Sequence, residues 1–146
     1  MRLLKKTQKW KKVKIDWVIQ DKSIFNCKTP PTITIEDYFG RILKYSKLED
    51  STLIISLIYL DRICEMNKIE LTPYNIHRFI LISVLVSIKY NEDDIYSNTY
   101  YAKIGGITLD EINDLENKFI EMIDFELWVE NGVYEKYNSY LSVWFK

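Results

Sequence analysis

The 146-residue chain holds one histidine, His77, and two cysteines, Cys27 and Cys64, a thin stock for catalysis. Imidazole is the usual general acid or base near neutral pH, but His77 falls at the start of an apolar segment. There a histidine satisfied within the core is the expectation. The cysteines have no Cys or His at metal-ligand spacing and read as ordinary thiols of a reducing compartment. "NEDD" (91–94) lacks the glycine and the distant glutamate of a calcium loop. Gly105-Gly106 lacks the Lys-Ser or Lys-Thr of a phosphate loop and reads as a turn leading into a helix. These residues point to no enzyme, no small-molecule substrate, no cofactor and no metal.

Other charges stand where water should not reach. At about 100° per residue, Asp61 falls between Leu57 and Ile54, inside an apolar sector. A carboxylate there needs a partner, because burying a lone charge costs several kcal/mol. Arg41, at the edge of the preceding helix's apolar face, is the expected one, forming an ion pair that fixes helix packing. Lys89 ends "ILISVLVSIKY" (80–90), the most apolar run in the chain, and Glu116 intrudes on the stripe of Ile112. Lys89 could be a helix-end cation with its stem snorkelling to water, and Glu116 could simply pair with it. Equally, the two could edge a surface that is covered only when a partner docks. Spacing leaves both open.

Those residues need helices to position them. Pro30-Pro31, Pro73 and Gly105-Gly106 mark three junctions. After the first, Thr34 is an N-cap, Asp37 holds the capping-box position, and Ile33 with Tyr38 has staple spacing. Ile35, Phe39, Ile42 and Ser46 mark one face of this helix, which runs to about residue 46. The second, capped by Asp50 or Ser51, carries the stripe Leu53, Leu57, Leu60, Cys64. Thr72-Pro73 starts the third, which is apolar on nearly every side from Phe79 to Ile88 and so belongs in the middle of a bundle. Thr108 with Glu111 makes a capping box and Ile107 with Ile112 a staple, followed by Leu115, Phe119, Met122 and Ile123. The last helix, roughly 131–145, shows Val133, Tyr137, Tyr140, Leu141 and Trp144. Trp17, Val18, Ile24 and Phe25 suggest a short extra helix before the bundle. No segment alternates like a strand, so the fold is all-α, with five helices and a central third.

The length suits one domain, and no apolar stretch reaches the roughly 20 residues of a membrane span. The N-terminus has no apolar run with a small-residue cleavage site, so an intracellular place, nucleus or cytoplasm or both, is expected. Arg2, Lys5, Lys6, Lys9, Lys11, Lys12 and Lys14 precede the first acid, Asp16, leaving 13 basic against 21 acidic residues, a balance of −8, over the remainder. A body that acidic is a poor nucleic-acid surface, since phosphate contacts dominate such affinity. The basic arm could bind an import receptor or an acidic partner, or lie solvated. Residues 1–31 thus form an arm and 32–146 a domain.

Four stretches in order, "LIYLDRI" (57–63), "HRFILISVLVSIKY" (77–90), "YSNTYYAKIGGI" (96–107) and "LENKFIEMIDFEL" (115–127), resemble the cyclins. They are most similar to the single-box P- or U-type cyclins associated with phosphate signalling. The resemblance implies a cyclin box, five helices around a central third. It also implies a regulatory subunit that binds and activates a cyclin-dependent kinase and has no active site of its own. It maps Lys89 and Glu116 onto residues that bond the kinase backbone beside its regulatory helix, and Phe125 and Leu127 onto apolar contacts to that helix. Arg41 and Asp61 map onto the pair that braces the box. "GRILK" (40–44), with Lys47 where cell-cycle members place a tryptophan, departs from the family's substrate-docking patch and puts that docking mode in doubt. The alternatives are a cyclin-fold scaffold without activation, or a transcription-factor-like module, which would use basic faces and normally paired boxes.

Overall fold

The computed structural model describes residues 23–144, without the side chains of the last two. Six α-helices occur among them: α1 Ile35–Ser46, α2 Asp50–Met66, α3 Ile76–Asn91, α4 Asn98–Gly105, α5 Leu109–Met122 and α6 Asn131–Trp144. No described residue lies in a strand. The basic arm and the Trp17-Val18 half of the suggested extra helix lie outside the described residues. Ile24 and Phe25 sit in a turn, not a helix.

Every residue of α3 from Ile76 to Ile88 is buried except Arg78, and α1, α2, α4 and α5 surround it. The all-α fold around a central third helix is therefore as expected. Its wrapping differs in one member: α4, which has no apolar stripe long enough to read, closes the ring around α3, and α6 packs on α2 instead. Covered by α3 on one side and α6 on another, α2 is buried almost continuously from Ser56 to Cys64. Its core face is thus wider than the stripe Leu53, Leu57, Leu60, Cys64 suggested.

Local signals explain the boundaries. Thr34 accepts a bond from the Asp37 amide (3.1 Å) and Thr108 one from the Glu111 amide (3.1 Å), so both caps form as their residue types dictate. The Glu111 carboxylate turns to Arg78 (3.2 Å) rather than back to its cap. Thr72-Pro73 makes a turn instead of the first helical residues. Asn75 Oδ1 accepts the Thr72 amide (2.8 Å), Thr72 Oγ1 accepts the Tyr74 amide (3.2 Å), and α3 begins at Ile76. Gly105-Gly106 closes α4 rather than opening α5. Gly106, at φ 69°, is the left-handed cap, and the Ile107 amide donates to the Ala102 carbonyl (3.0 Å), a helix stop that glycine makes without steric cost.

Candidate protein-docking site

α3 emerges from the core at its C-terminal end, where Asn91 Nδ2 bonds the Ser87 carbonyl (2.8 Å) and the Glu92 amide bonds Ile88 (2.9 Å). Lys89 stands on that last turn. Its Nζ donates to both Glu116 oxygens, 2.9 Å to Oε1 and 2.8 Å to Oε2. The lysine side chain is 32% exposed and the glutamate 12%, so the pair straddles the boundary between core and water. Asn98, at the start of α4, donates to Glu116 Oε1 (3.0 Å) and to Asn113 Oδ1 (2.8 Å). Three helices therefore hold one carboxylate. Of the two uses the spacing left open, mutual pairing is made in the isolated chain, and Lys89 still reaches solvent with donor capacity to spare.

α5 runs from Glu116 into a connecting strap, residues 123–130. Ile123 is buried and Leu127 packs against the core, while Phe125 is 73% exposed. Trp128, also 73% exposed, was not singled out from sequence, because one tryptophan outside any stripe carries no periodic signal. Nor were the residues that fix the strap. Tyr59 Oη donates to the Leu127 carbonyl (2.6 Å), and Arg62 Nη1 donates to the carbonyls of Glu126 (2.9 Å) and Trp128 (2.8 Å). Asn67 Nδ2 donates to that of Met122 (2.8 Å). Burial pushes the Tyr59 phenol up to about 12, so it remains a donor at any physiological pH.

Arg41 and Asp61 are not each other's partner. Arg41 Nε donates to the Ile104 carbonyl (2.7 Å) and Nη2 to that of Lys103 (3.4 Å), bracing the end of α4. Asp61, buried on α2, accepts a bond from Tyr137 Oη of α6 (2.9 Å). Burial raises the Tyr137 phenol's pKa, and the Asp61 charge and hydrogen bond raise it further. The expected pair fails because α1 faces α3 and α4, whereas this side of α2 faces α6. Helical periodicity says which face a charge occupies, not which element covers it.

The cyclin family model matches residues 5–127, most of the chain. The chain belongs to the cyclin family. It is 44% identical over 121 residues to "Cyclin-U4-2" of Arabidopsis thaliana, covering 82% of this chain and 56% of that protein. To "Cyclin-U2-2" of the same plant it is 38% identical over 122 residues, covering 82% and 52%. To the "PHO85 cyclin-like protein psl1" of Schizosaccharomyces pombe it is 37% identical over 125 residues, covering 84% and 51%. The resemblance to P/U-type cyclins is thus borne out, and the chain spans about half the length of the curated relatives it matches. Lys89, Glu116, Phe125 and Leu127 all fall inside the part matched to the cyclin model, whereas α6 lies beyond it.

Proposed function

We propose that this cyclin is a regulatory subunit that binds a cyclin-dependent kinase inside the cell, in nucleus or cytoplasm, and activates it. One observation carries the reading: the Lys89–Glu116 pair at the boundary of core and water, with Lys89 where the buried central helix meets the surface and Glu116 on the helix that leads into the exposed Phe125. A kinase of this class is inactive until its regulatory-helix glutamate reaches the strand-three lysine and its activation loop clears the substrate site. A protein that contacts only one position of that helix shifts the equilibrium by its differential affinity. Lys89 serves as donor to kinase backbone carbonyls, Glu116 as acceptor from its amides, and Phe125 and Leu127 bury apolar surface against the helix. Residues 32–146, with Phe25 packed into their core, are the binding unit, and the basic arm engages an import receptor or an acidic partner.

The test is reconstitution of the pure protein with each cyclin-dependent kinase of its own source. The chain alone transfers no phosphoryl group, and one kinase is stimulated. Lys89→Ala lowers that kinase's affinity by an amount equivalent to about 2–5 kcal/mol. Because Glu116 is mostly buried, the variant also loses about 1–3 kcal/mol of stability, so affinity is measured on the folded fraction. Phosphoryl transfer by the chain itself, or no stimulation of any such kinase, overturns the reading.

A further inference from the structure

The strap between α5 and α6 is built against the preferences of a simple connection. Asp124 (φ 54°) and Phe125 (φ 57°) both occupy the left-handed region, which residues with a Cβ hold only where their surroundings over-determine the backbone. A joint with no other duty would place glycine there. α2 and its C-cap Asn67 supply the constraint, with four hydrogen bonds from Tyr59, Arg62 and Asn67 to the carbonyls of Met122, Glu126, Leu127 and Trp128. Arg62 alone makes two, to carbonyls two residues apart, and so sets the path of the backbone on either side of Leu127. The side chains held this way are not being tucked in. Phe125 and Trp128 are each 73% exposed, large apolar groups kept in water at a hydrophobic cost. Asn91 Nδ2 lies 3.4 Å from Tyr59 Oη, which ties the strap to the turn of α3 that carries Lys89.

We infer that Trp128 is a second aromatic anchor for the kinase beside Phe125, and that Arg62 is the positioning residue that presents both. The inference rests on the kinase-binding reading above and extends its surface beyond the four residues assigned there. The surface it fits is an apolar patch on the kinase flanking the contact made by Phe125. Tryptophan carries a large contact area at low entropic cost and is the residue most enriched among interface anchors. Fixing the strap before docking removes an ordering penalty from binding.

The experiment measures melting and kinase affinity on the full chain and its variants, with Lys89→Ala as control for the underlying reading. Trp128→Ala is expected to leave melting unchanged, since its side chain is exposed, and to weaken binding at least tenfold. Arg62→Ala is also expected to weaken binding about tenfold, yet to add less than twofold in a Phe125→Ala/Trp128→Ala background, because its effect passes through those rings. Wild-type affinity in Trp128→Ala, with Lys89→Ala impaired, overturns this inference and leaves the kinase-binding reading standing. An Arg62→Ala loss that persists undiminished in the double-variant background overturns the positioning role. Failure of the wild-type chain to bind any cyclin-dependent kinase overturns both.

Discussion

His77 Nε2 donates to the Ile33 carbonyl (2.9 Å), and its ring meets the Tyr38 ring edge-on at 4.9 Å. Burial lowers its pKa, and the bond to Ile33 only partly opposes this. The folded state thus binds the imidazole proton less readily than the unfolded state does. The stability that follows from this is fully present above the unfolded value of about 6.5 and is lost as pH falls through the depressed folded value. Melting temperature should therefore drop as pH falls below about 6.5. As His77 is the sole histidine, His77→Gln should flatten that slope, and a slope unchanged in the variant would place its origin elsewhere. At this scale the sequence was legible wherever the question was which face a residue occupies. The expectation of a satisfied histidine is met in part, since Nε2 is bonded while Nδ1 is buried with no hydrogen-bond partner among the described residues. Spacing placed Lys89 and Glu116 at the edge of burial without saying that they pair. The partner of Asp61 was not legible, because Tyr137 lies 76 positions away and neutral phenols do not advertise themselves as charge partners.

Among the elements, the long helices were legible, with the caps of α1 and α5 as expected. α2, however, is preceded by Glu49 without a side-chain cap bond rather than capped by Asp50 or Ser51, and the short helix was not read at all. α4 spans eight residues, two turns, too few for a stripe to emerge from the 3.6-residue period. Its termini did carry signals, Ser97 as N-cap and Gly106 as left-handed stop, but the glycine pair fits the start of α5 equally well in one dimension. The structure separates the two glycines by role. Gly106 supplies the backbone angle, while Gly105 supplies space: a Cβ there would collide with the Leu81 side chain of α3, itself 2% exposed and so without room to swing. α4 closes on α3 through that contact, helped by Tyr38 Oη donating to the Gly105 carbonyl (2.8 Å). Gly105→Ala should therefore destabilise by about 1–3 kcal/mol through overpacking. Gly40→Ala, in the middle of α1 with nothing within 4 Å of the added carbon, should instead stabilise by about 0.5–1 kcal/mol. Urea denaturation midpoints that move in opposite directions at constant slope would bear this out, and equal shifts would show that the α3–α4 contact is loose.

In the whole molecule, α3 is central but not alone, because α2 is walled in by α3 and α6 and forms a second buried layer. That layering separates the two charged residues expected to pair. Arg41 ties α1 to the end of α4, and Asp61 ties α2 to α6. They lie on different interfaces with no partner in common among the described residues. Energetic coupling distinguishes this arrangement from a single brace. Sites that share no partner add within roughly 0.3–0.5 kcal/mol, whereas residues in direct contact show interaction energies of about 0.5–3 kcal/mol. Arg41→Ala and Asp61→Ala should consequently be additive in unfolding free energy. Tyr137→Phe, which keeps the ring and removes only the donor, should cost about 1.5–3 kcal/mol, as a hydrogen bond to a charged group does, and much less once Asp61 is already alanine. The two double-variant cycles decide the matter: coupling between Arg41 and Asp61 with none between Asp61 and Tyr137 would restore the single brace. The opposite result makes α6, beyond the residues matched to the cyclin model, an integral part of the fold that holds α2 and the strap it clamps.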